Sequence, residues 1–287
     1  MNNIDMERVD VLIDLALAED LAEVGDTTSK SVIPDDTQAV AVLRCKEDLV
    51  CAGLPVAEQV FKKVCPEVKW TPLVKEGEYC KAFTAMAEVE GNAQDLLTAE
   101  RTALNFLQRL CGVATASYKY AEALKDSKTE VLDTRKTTPG WRNLEKYAVD
   151  MGGATNHRIG LYDRVMIKDN HRELAGLEGE KGITRSVERA RAMFPKLEVE
   201  VEADTLEEVA EAIEANADYI LLDNMTNEQM SEAVKMNQGK CKLEASGGIT
   251  IERLPSIGKI GVDYVSVGAL THSVKAADIS MEIKLSK

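Results

Sequence analysis

The sequence predicts an α/β protein in two parts: an N-terminal α+β domain of sandwich-like build, and a C-terminal β/α barrel. Three observations predict it. The texture changes near residue 115, from mixed patterns to a regular alternation. After about residue 128 six short apolar, β-rich runs recur: EVLDT, RVMIKD, LEVEVEAD, DYILLDN, CKLEASGG and DYVSVGAL. Helical stretches such as SVERARAMF, TLEEVAEAIEA and NEQMSEAVKM lie between several of them. Strands and helices alternating at this length imply parallel pairing through right-handed crossovers. Six in a row favour a closed or nearly closed barrel, with a doubly wound open sheet as second choice.

The N-terminal half is justified element by element. Residues 5–23 carry apolar side chains at helical spacing. AVAVLRCK and DLVCAG read as strands, PVAEQVFKKV as a helix, and TAMAEVEG at 84–91 alternates like a half-buried strand. Residues 93–124 form a long proline-free helical stretch, with Gly112 as an expected break. The expected domains are 1–115 and 116–271.

Composition narrows the function classes. The chain has 287 residues, 45% hydrophobic and 29% charged, as in globular proteins that bury a sizeable core. Its formal net charge is −14, and such a field repels phosphate backbones and anionic lipid surfaces. Nucleic acid and membrane are therefore excluded as first partners. No apolar run approaches the ~20 residues that span a bilayer. The N-terminus carries acids throughout, unlike a signal peptide. Six cysteines with no CxxC pair read as reduced, mostly buried thiols of a cytoplasmic protein.

In a β/α barrel the carboxyl ends of the strands carry the functional groups. Those ends read Asp133 with Arg135 and Lys136, Lys168 and Asp169, Glu200 and Glu202, Asp223 and Asn224, Ser246 with Gly247 and Gly248, and Gly268. Singly, each has a plain structural reading. A loop lysine is usually solvated, Asp223 or Asn224 suits a helix cap, and a glycine pair relieves steric strain. Together they form a mouth with cations on one side and carboxylates on the other. SGGIT before a helix, followed one unit later by VGALTHS, matches a phosphate cradle built from backbone N–H groups. Glu202 and Asp223 suit Mg²⁺, ribose hydroxyls or acid–base work, and sequence leaves these open.

The stretch TRKTTPGWR sits oddly in an acidic chain. From 134 to 168 there are seven Lys/Arg against three acids. Arginine forks match carboxylates, and lysine supplies a point charge. A small molecule with more than one anionic group is the ligand this implies. The three histidines, 157, 171 and 272, all fall in or beside these loops.

DTRKTTPGWRNLEKYAVDMGGATNHRIGLYDRVMIKDNH, LEVEVEADTLEEVAEA, DYILLDNM, LEASGGIT and DYVSVGALTHS together resemble the quinolinate phosphoribosyltransferase family, as do AERTALNFLQRLCGVAT and EDLAEVGDTTS. The resemblance covers essentially the whole chain. It implies an N-terminal α/β domain joined to an incomplete TIM-like barrel, with the C-terminal segment 272–287 folding back onto the first domain. It implies that quinolinate and phosphoribosyl pyrophosphate, with Mg²⁺, give nicotinate mononucleotide, pyrophosphate and CO₂. It implies a homo-oligomer, a dimer or larger, with shared active sites. By the same resemblance Arg135, Lys136, His157, Arg158 and Lys168 hold quinolinate, and Arg101 reaches in from the neighbouring subunit. Glu202 and Asp223 face the ribose and the metal, with Glu202 chosen over Glu200 by its position four residues before Leu206. Ser246, Gly247, Gly248 and Gly268 take the 5-phosphate. Lys136, Lys168, Glu202 and Asp223 form the catalytic set. RELAGLEGEKGITR looks like a surface insertion. The rivals are a related phosphoribosyltransferase-like protein of molybdate transport operons, a barrel aldolase or isomerase with a Schiff-base lysine at 168, and a non-catalytic metabolite-binding barrel.

Overall fold

The structure is a computed structural model that describes residues 4–177 and 179–286. Residues 1–3 and Lys287, at the outer limits of the expected first domain, and Glu178, in the expected insertion, lie outside the described residues. The chain runs α1 (Met6–Leu21), α2 (Thr27–Val32), β1 (Gln38–Cys45), β2 (Leu49–Val50), α3 (Leu54–Val64), β3 (Lys69–Pro72), β4 (Tyr79–Cys80), β5 (Ala85–Asn92) and α4 (Ala93–Ala123). It continues β6 (Glu130–Leu132), α5 (Arg142–Met151), β7 (Val165–Ile167), α6 (Asp169–Leu174), α7 (Gly182–Met193), β8 (Val199–Ala203), α8 (Leu206–Glu214), β9 (Tyr219–Asp223), α9 (Asn227–Asn237), β10 (Lys242–Ser246), α10 (Leu254–Ile260), β11 (Tyr264–Ser266), α11 (Ala269–His272) and β12 (Ile279–Leu285).

Two compact units result: residues 1–118, 137–153 and 270–287 in the first, residues 119–136 and 154–269 in the second. The first holds an antiparallel sheet in the order β12-β1-β5-β3. Along β1 the burial alternates, with Ala39, Ala41, Leu43 and Cys45 inside. The last strand pairs with β1, Leu285 opposite Ala39 and Ile279 opposite Cys45. Helix α4 is continuous through Gly112, where a break was expected. A Cβ there would lie 2.3 Å from the Lys275 carbonyl oxygen, so the glycine serves close backbone approach instead.

The expected division at 115 and 271 does not describe α5, which the contacts group with the first unit although it follows a strand of the second. The reason lies in its side chains. Leu144, Glu145, Tyr147 and Ala148 are buried. The Tyr147 hydroxyl donates to Glu76 at 2.6 Å, and Glu145 accepts from Arg109 of α4, also at 2.6 Å. Trp141, just before the helix, stacks on Phe106 with ring centroids 4.7 Å apart.

The second unit is a six-stranded parallel sheet in the order β6-β11-β10-β9-β8-β7. The last strand, β11, pairs with the first, β6, which a doubly wound sheet would not do. Among the described strands β6 and β7 do not pair, and Thr155 adds a single bridge beside Leu132. The barrel is thus incomplete, open on one side. The two faces of its strands differ sharply. Val199, Val201 and Ala203 share one face of β8; Glu200 and Glu202 share the other. Helices α7, α8 and α9 bury apolar residues at i, i+3 or i+4 spacing, such as Ile183 and Val187, Val209 and Ala212. Thr205 and Thr226 cap α8 and α9, so the cap of α9 is neither Asp223 nor Asn224.

Candidate active site

Parallel register sets the neighbours at the barrel mouth. Ile167 pairs with Val201, which brings the next residues, Lys168 and Glu202, level. The Lys168 ammonium contacts the Glu202 carboxylate. Glu202 is buried and Lys168 half-buried. The Lys168 backbone N–H donates to His171 Nδ1 at 3.0 Å, fixing the turn from β7 into α6. His171 is thus a local brace, and His272 is exposed in the first unit beside Ser273.

Asp223 and Ser246 are paired in register at the ends of β9 and β10. The Asn224 backbone N–H donates to the Ser246 carbonyl at 3.0 Å, and its Nδ2 donates to Asp223 Oδ2 at 2.8 Å. Gly247 has φ +87°, and a Cβ there would lie 2.1 Å from Asn224 Oδ1, so no larger residue fits. Gly248, at φ +57°, faces open space. Arg253 donates to the carbonyls of Gly247 (3.3 Å) and Met225 (2.8 Å), bracing both loops. Residues 249–253 separate the glycine pair from α10, so the pair does not abut a helix start as expected. Any anion contact there comes from the loop's own N–H groups. Gly268 is half-buried and immediately precedes α11.

Arg135 is half-buried and Lys136 exposed, three and four residues beyond β6. Arg158 is half-buried; its Nη1 donates to the Arg164 carbonyl at 2.9 Å. Burial, and next the positive charge of Arg135, push its guanidinium pKa down. Like charges in partial burial repel, and an anion relieves that repulsion.

His157 lies deeper than a mouth contact. It is 7% exposed, and its Nε2 sits 3.3 Å from Glu200 and 3.4 Å from Glu244, both fully buried. Its Nδ1 accepts the Arg158 backbone N–H at 2.7 Å, and its own N–H donates to Asp133 Oδ1 at 2.7 Å. Burial pushes the imidazole pKa down, and the neighbouring Glu200 and Glu244 carboxylates pull it up. The Arg158 amide opposes that shift directly. A backbone N–H only donates, so a second ring proton on Nδ1 would leave two buried donors face to face. Geometry therefore fixes the neutral ring with its proton on Nε2. Burial raises the Glu244 carboxyl above its usual range. Glu200 is also pushed up by burial, but His157 and Arg164 draw it below that range.

The cationic stretch is divided by the fold. Thr137–Gly153 group with the first unit, where Arg142 Nε donates to Thr137 Oγ1 at 3.0 Å and Lys146 is buried. Arg164 lies at the amino ends of the strands, 3.5 Å from Glu198 and 3.8 Å above the Tyr219 ring. Arg135, Lys136, Arg158 and Lys168 remain in the second unit, at or just beyond its strands. Arg101 is exposed on α4 of the first unit. Sequence reasoning missed Asp204, Arg253 and Glu244, and it named Asn224 only as a strand-end residue or helix cap. Asp204 carried a signal: it stands one residue past β8, in the same end position as Lys168 past β7. Its carboxyl pKa is raised by burial, then by the charges of Glu208, Asp223 and Asp169.

Residues 26–111 match the family described as quinolinate phosphoribosyl transferase, N-terminal domain, and residues 113–282 match its C-terminal domain. A probable nicotinate-nucleotide pyrophosphorylase [carboxylating] of Bacillus subtilis (strain 168) is 39% identical over 287 residues, covering 100% of this chain and 96% of the relative. The chloroplastic nicotinate-nucleotide pyrophosphorylase [carboxylating] of Arabidopsis thaliana is 42% identical over 288 residues, covering 95% of this chain and 82% of the relative. The solved nicotinate-nucleotide pyrophosphorylase from Francisella tularensis superposes with a TM-score of 0.92 at 38% identity, covering 99% of this chain and 98% of that one. With both of its domains matched and relatives aligned along nearly its full length, the chain belongs to the quinolinate phosphoribosyltransferase family.

Proposed function

We infer that the barrel mouth joins a pyridine dicarboxylate to a ribose 5-phosphate. As a member of its family the chain is a decarboxylating phosphoribosyltransferase of NAD synthesis: quinolinate and phosphoribosyl pyrophosphate become nicotinate mononucleotide, pyrophosphate and CO₂. One observation carries the assignment of the site: the Lys168 ammonium meets the buried Glu202 carboxylate at the ends of two adjacent strands of the same unit.

Arg135, Lys136, Arg158 and Lys168 bind the two carboxylates and orient the ring nitrogen toward the anomeric carbon. His157 supports them from below. The nitrogen attacks as the bond to pyrophosphate breaks, through an oxocarbenium-like transition state. Positioning and electrostatics supply most of the acceleration. The ribosylated nitrogen then carries a positive charge. Loss of the adjacent carboxylate as CO₂ leaves the bonding pair on the ring carbon beside that nitrogen, and protonation of this carbon completes the product. Lys168 is the proton donor in this reading. Ser246, Gly247, Gly248 and Gly268 hold the 5-phosphate, and Glu202 and Asp223 face the ribose hydroxyls.

The acidic side of the mouth fits Mg²⁺. The Asp204 carboxyl pKa is raised by burial and then by the charges of Glu208, Asp223 and Asp169, with Arg172 opposing them, and a hard cation at Glu202 and Asp223 would relieve that repulsion. Glu202 and Asp223 would hold the ion, which when bound neutralises charge on the departing pyrophosphate.

Incubation with quinolinate, phosphoribosyl pyrophosphate and Mg²⁺ tests this. Nicotinate mononucleotide and CO₂ should appear in equal amounts, and no turnover would refute the assignment. Borohydride with a carbonyl substrate should trap nothing at Lys168, which separates this reading from a Schiff-base barrel. Arg101, exposed on α4, completes the site of a second subunit in a homodimer. Mixing Arg101→Ala with Lys168→Ala chains should then restore part of the activity; confirmed subunit exchange without recovery would refute sharing. Six free thiols, five of them buried, support a reducing compartment such as the cytoplasm. Among the described residues no helix is long and apolar enough to cross a membrane.

A further inference from the structure

A β/α barrel ordinarily fills its interior with branched apolar side chains. Here part of one layer is charged. Glu200 of β8 and Glu244 of β10 are fully buried and reach the same ring nitrogen, although β9 lies between their strands. Only the concave face of the sheet allows that convergence. Burying carboxylates costs several kcal/mol each before pairing, and well-packed hydrophobic residues often do as well for stability. The cluster is therefore weakly explained by stability alone.

One ring nitrogen and two carboxylate oxygens, all within 4.8 Å of one another, have the spacing of metal ligands. The proton position argues against that use. Ligation through Nε2 would send the ring proton to Nδ1, where the Arg158 amide already points at 2.7 Å. Nε2 instead faces a Glu200 oxygen at 3.3 Å and a Glu244 oxygen at 3.4 Å, and neither Glu244 oxygen has another hydrogen-bond partner among the described residues, so both carboxyls hold the protonated side of the ring by proximity and charge. The ring is held from one side by the carboxyls and offers a bare Nδ1 on the other.

That bare nitrogen has one visible task. It takes the backbone N–H of Arg158, while Asp133 takes the backbone N–H of His157. Two successive amides are thus anchored to side chains of the barrel interior. The Arg158 side chain leaves from the second anchor, and its Nη1 is tied to the Arg164 carbonyl at 2.9 Å. A tilted His157 ring would move the root of the Arg158 side chain.

We propose that Glu200 and Glu244 are positioning residues for the dicarboxylate: together they lock the His157 ring so that its Nδ1 sets the Arg158 backbone, and through it the guanidinium, at the barrel mouth. The proposal rests on Arg158 being a dicarboxylate contact, as in the function inferred above. The two carboxyls act through His157 and never touch substrate.

The test uses the full chain with Mg²⁺ saturating, each organic substrate varied separately, and metal content measured. Glu244→Ala should raise the KM for quinolinate about tenfold and leave that for phosphoribosyl pyrophosphate within about twofold, since misplacement of a positioning group acts on the group it positions. Glu244→Gln keeps an acceptor oxygen for the Nε2–H and should return the quinolinate KM to within about threefold of the starting enzyme. The double variant His157→Ala/Glu244→Ala should be little worse than His157→Ala alone, because the two act in series. If Glu244→Ala does not fold, Glu244→Asp, which withdraws the acceptor by one methylene, carries the same expectation.

Equal rises in both KM values with a lowered thermal midpoint would reduce the cluster to packing and overturn the proposal. So would effects of His157 and Glu244 that multiply, or one metal ion per chain lost in Glu244→Ala. An unmutated chain that fails to turn over quinolinate overturns the function itself. Turnover with a quinolinate KM unmoved by Glu244→Ala overturns only the positioning role.

Discussion

The two units treat buried charge in opposite ways. The sheet of the first unit turns Ala39, Ala41, Leu43, Ala87 and Val89 inward, and its acids on β5, such as Glu88 and Glu90, outward. Its fully buried Glu145 meets Arg109 and the loop of Thr138 within hydrogen-bonding distance. The barrel of the second unit turns Glu200, Glu202 and Glu244 inward and sets Lys168 against Glu202 at the carboxyl ends of its strands. The same alternation of strand side chains thus builds a scaffold in one unit and a reaction vessel in the other. Desolvating a charge is costly in both. Where the charge has full local partners, the gain is structural. Where it faces an opening, the gain comes only with a ligand.

That contrast predicts which substitutions harm activity and which harm stability. Arg135→Ala carries the largest expected effect. It should lower kcat/KM by about 10²–10³-fold, the scale seen when a preorganised electrostatic contact is removed. Its urea midpoint should stay near that of the unmodified chain, because a half-buried mouth cation adds little to folding. A stability loss as large as the activity loss would erase the distinction between the units. Glu145→Ala should show the reverse. Removing one partner of a buried ion pair costs about 3–5 kcal/mol, and here it takes the counter-charge from Arg109 and the acceptor from the Thr138 amide. Denaturant unfolding should show that loss, with the quinolinate KM of the folded fraction changed far less.

The contrast was only half legible in the sequence. The strand–helix alternation announced the barrel, because period-2 and period-3.6 patterns survive in local sequence. The strand ends announced the mouth, since a residue's place after an apolar run is also local. The division of TRKTTPGWR was not legible. Arg135 and Arg142 look alike in sequence, and only the docking of α5, through Glu145, Tyr147 and Trp141, assigns them to different units. Glu244 was hidden for a similar reason. It lies mid-strand, and its partner His157 is 87 residues away, between Glu130–Leu132 and Val165–Ile167. Gly112 read as a helix breaker because its true neighbour, Lys275, is more remote still.

Gly247→Ala sharpens the comparison at a smaller scale. The position combines a left-handed φ with a Cβ site 2.1 Å from Asn224 Oδ1. Forcing a side chain there costs about 1–3 kcal/mol of local strain. The expected outcome is a displaced Asn224–Asp223 pair, read as a raised KM for phosphoribosyl pyrophosphate with the quinolinate KM held. An equal rise in both would mean that the loop serves the barrel as a whole and not one ligand.

Asp26 of the first unit gives the smallest and most purely structural effect. Its carboxylate caps α2, accepting from the amides of Thr28 and Ser29 at 3.0 Å each. Hydrogen bonds from Ser29, side chain first and then amide, hold its pKa below the usual carboxylate value, with Thr98 and Thr28 adding to them against a small opposing effect of burial. Asp26→Ala should therefore cost about 1 kcal/mol at neutral pH, as lost caps do. A folded pKa below the unfolded one, about 3.9, means the contribution is complete above that value and drains away as pH falls through the folded pKa. The stability gap between Asp26→Ala and the unmodified chain should thus be flat from pH 5 to 8, with ~1 kcal/mol separating them, and close in stronger acid. A gap that stayed constant down to pH 2 would show that the carboxylate's charge is not what the cap uses. The α2 cap would then work through its acceptor oxygens whether or not the carboxyl is charged, unlike the buried Glu145–Arg109 pair of the same unit.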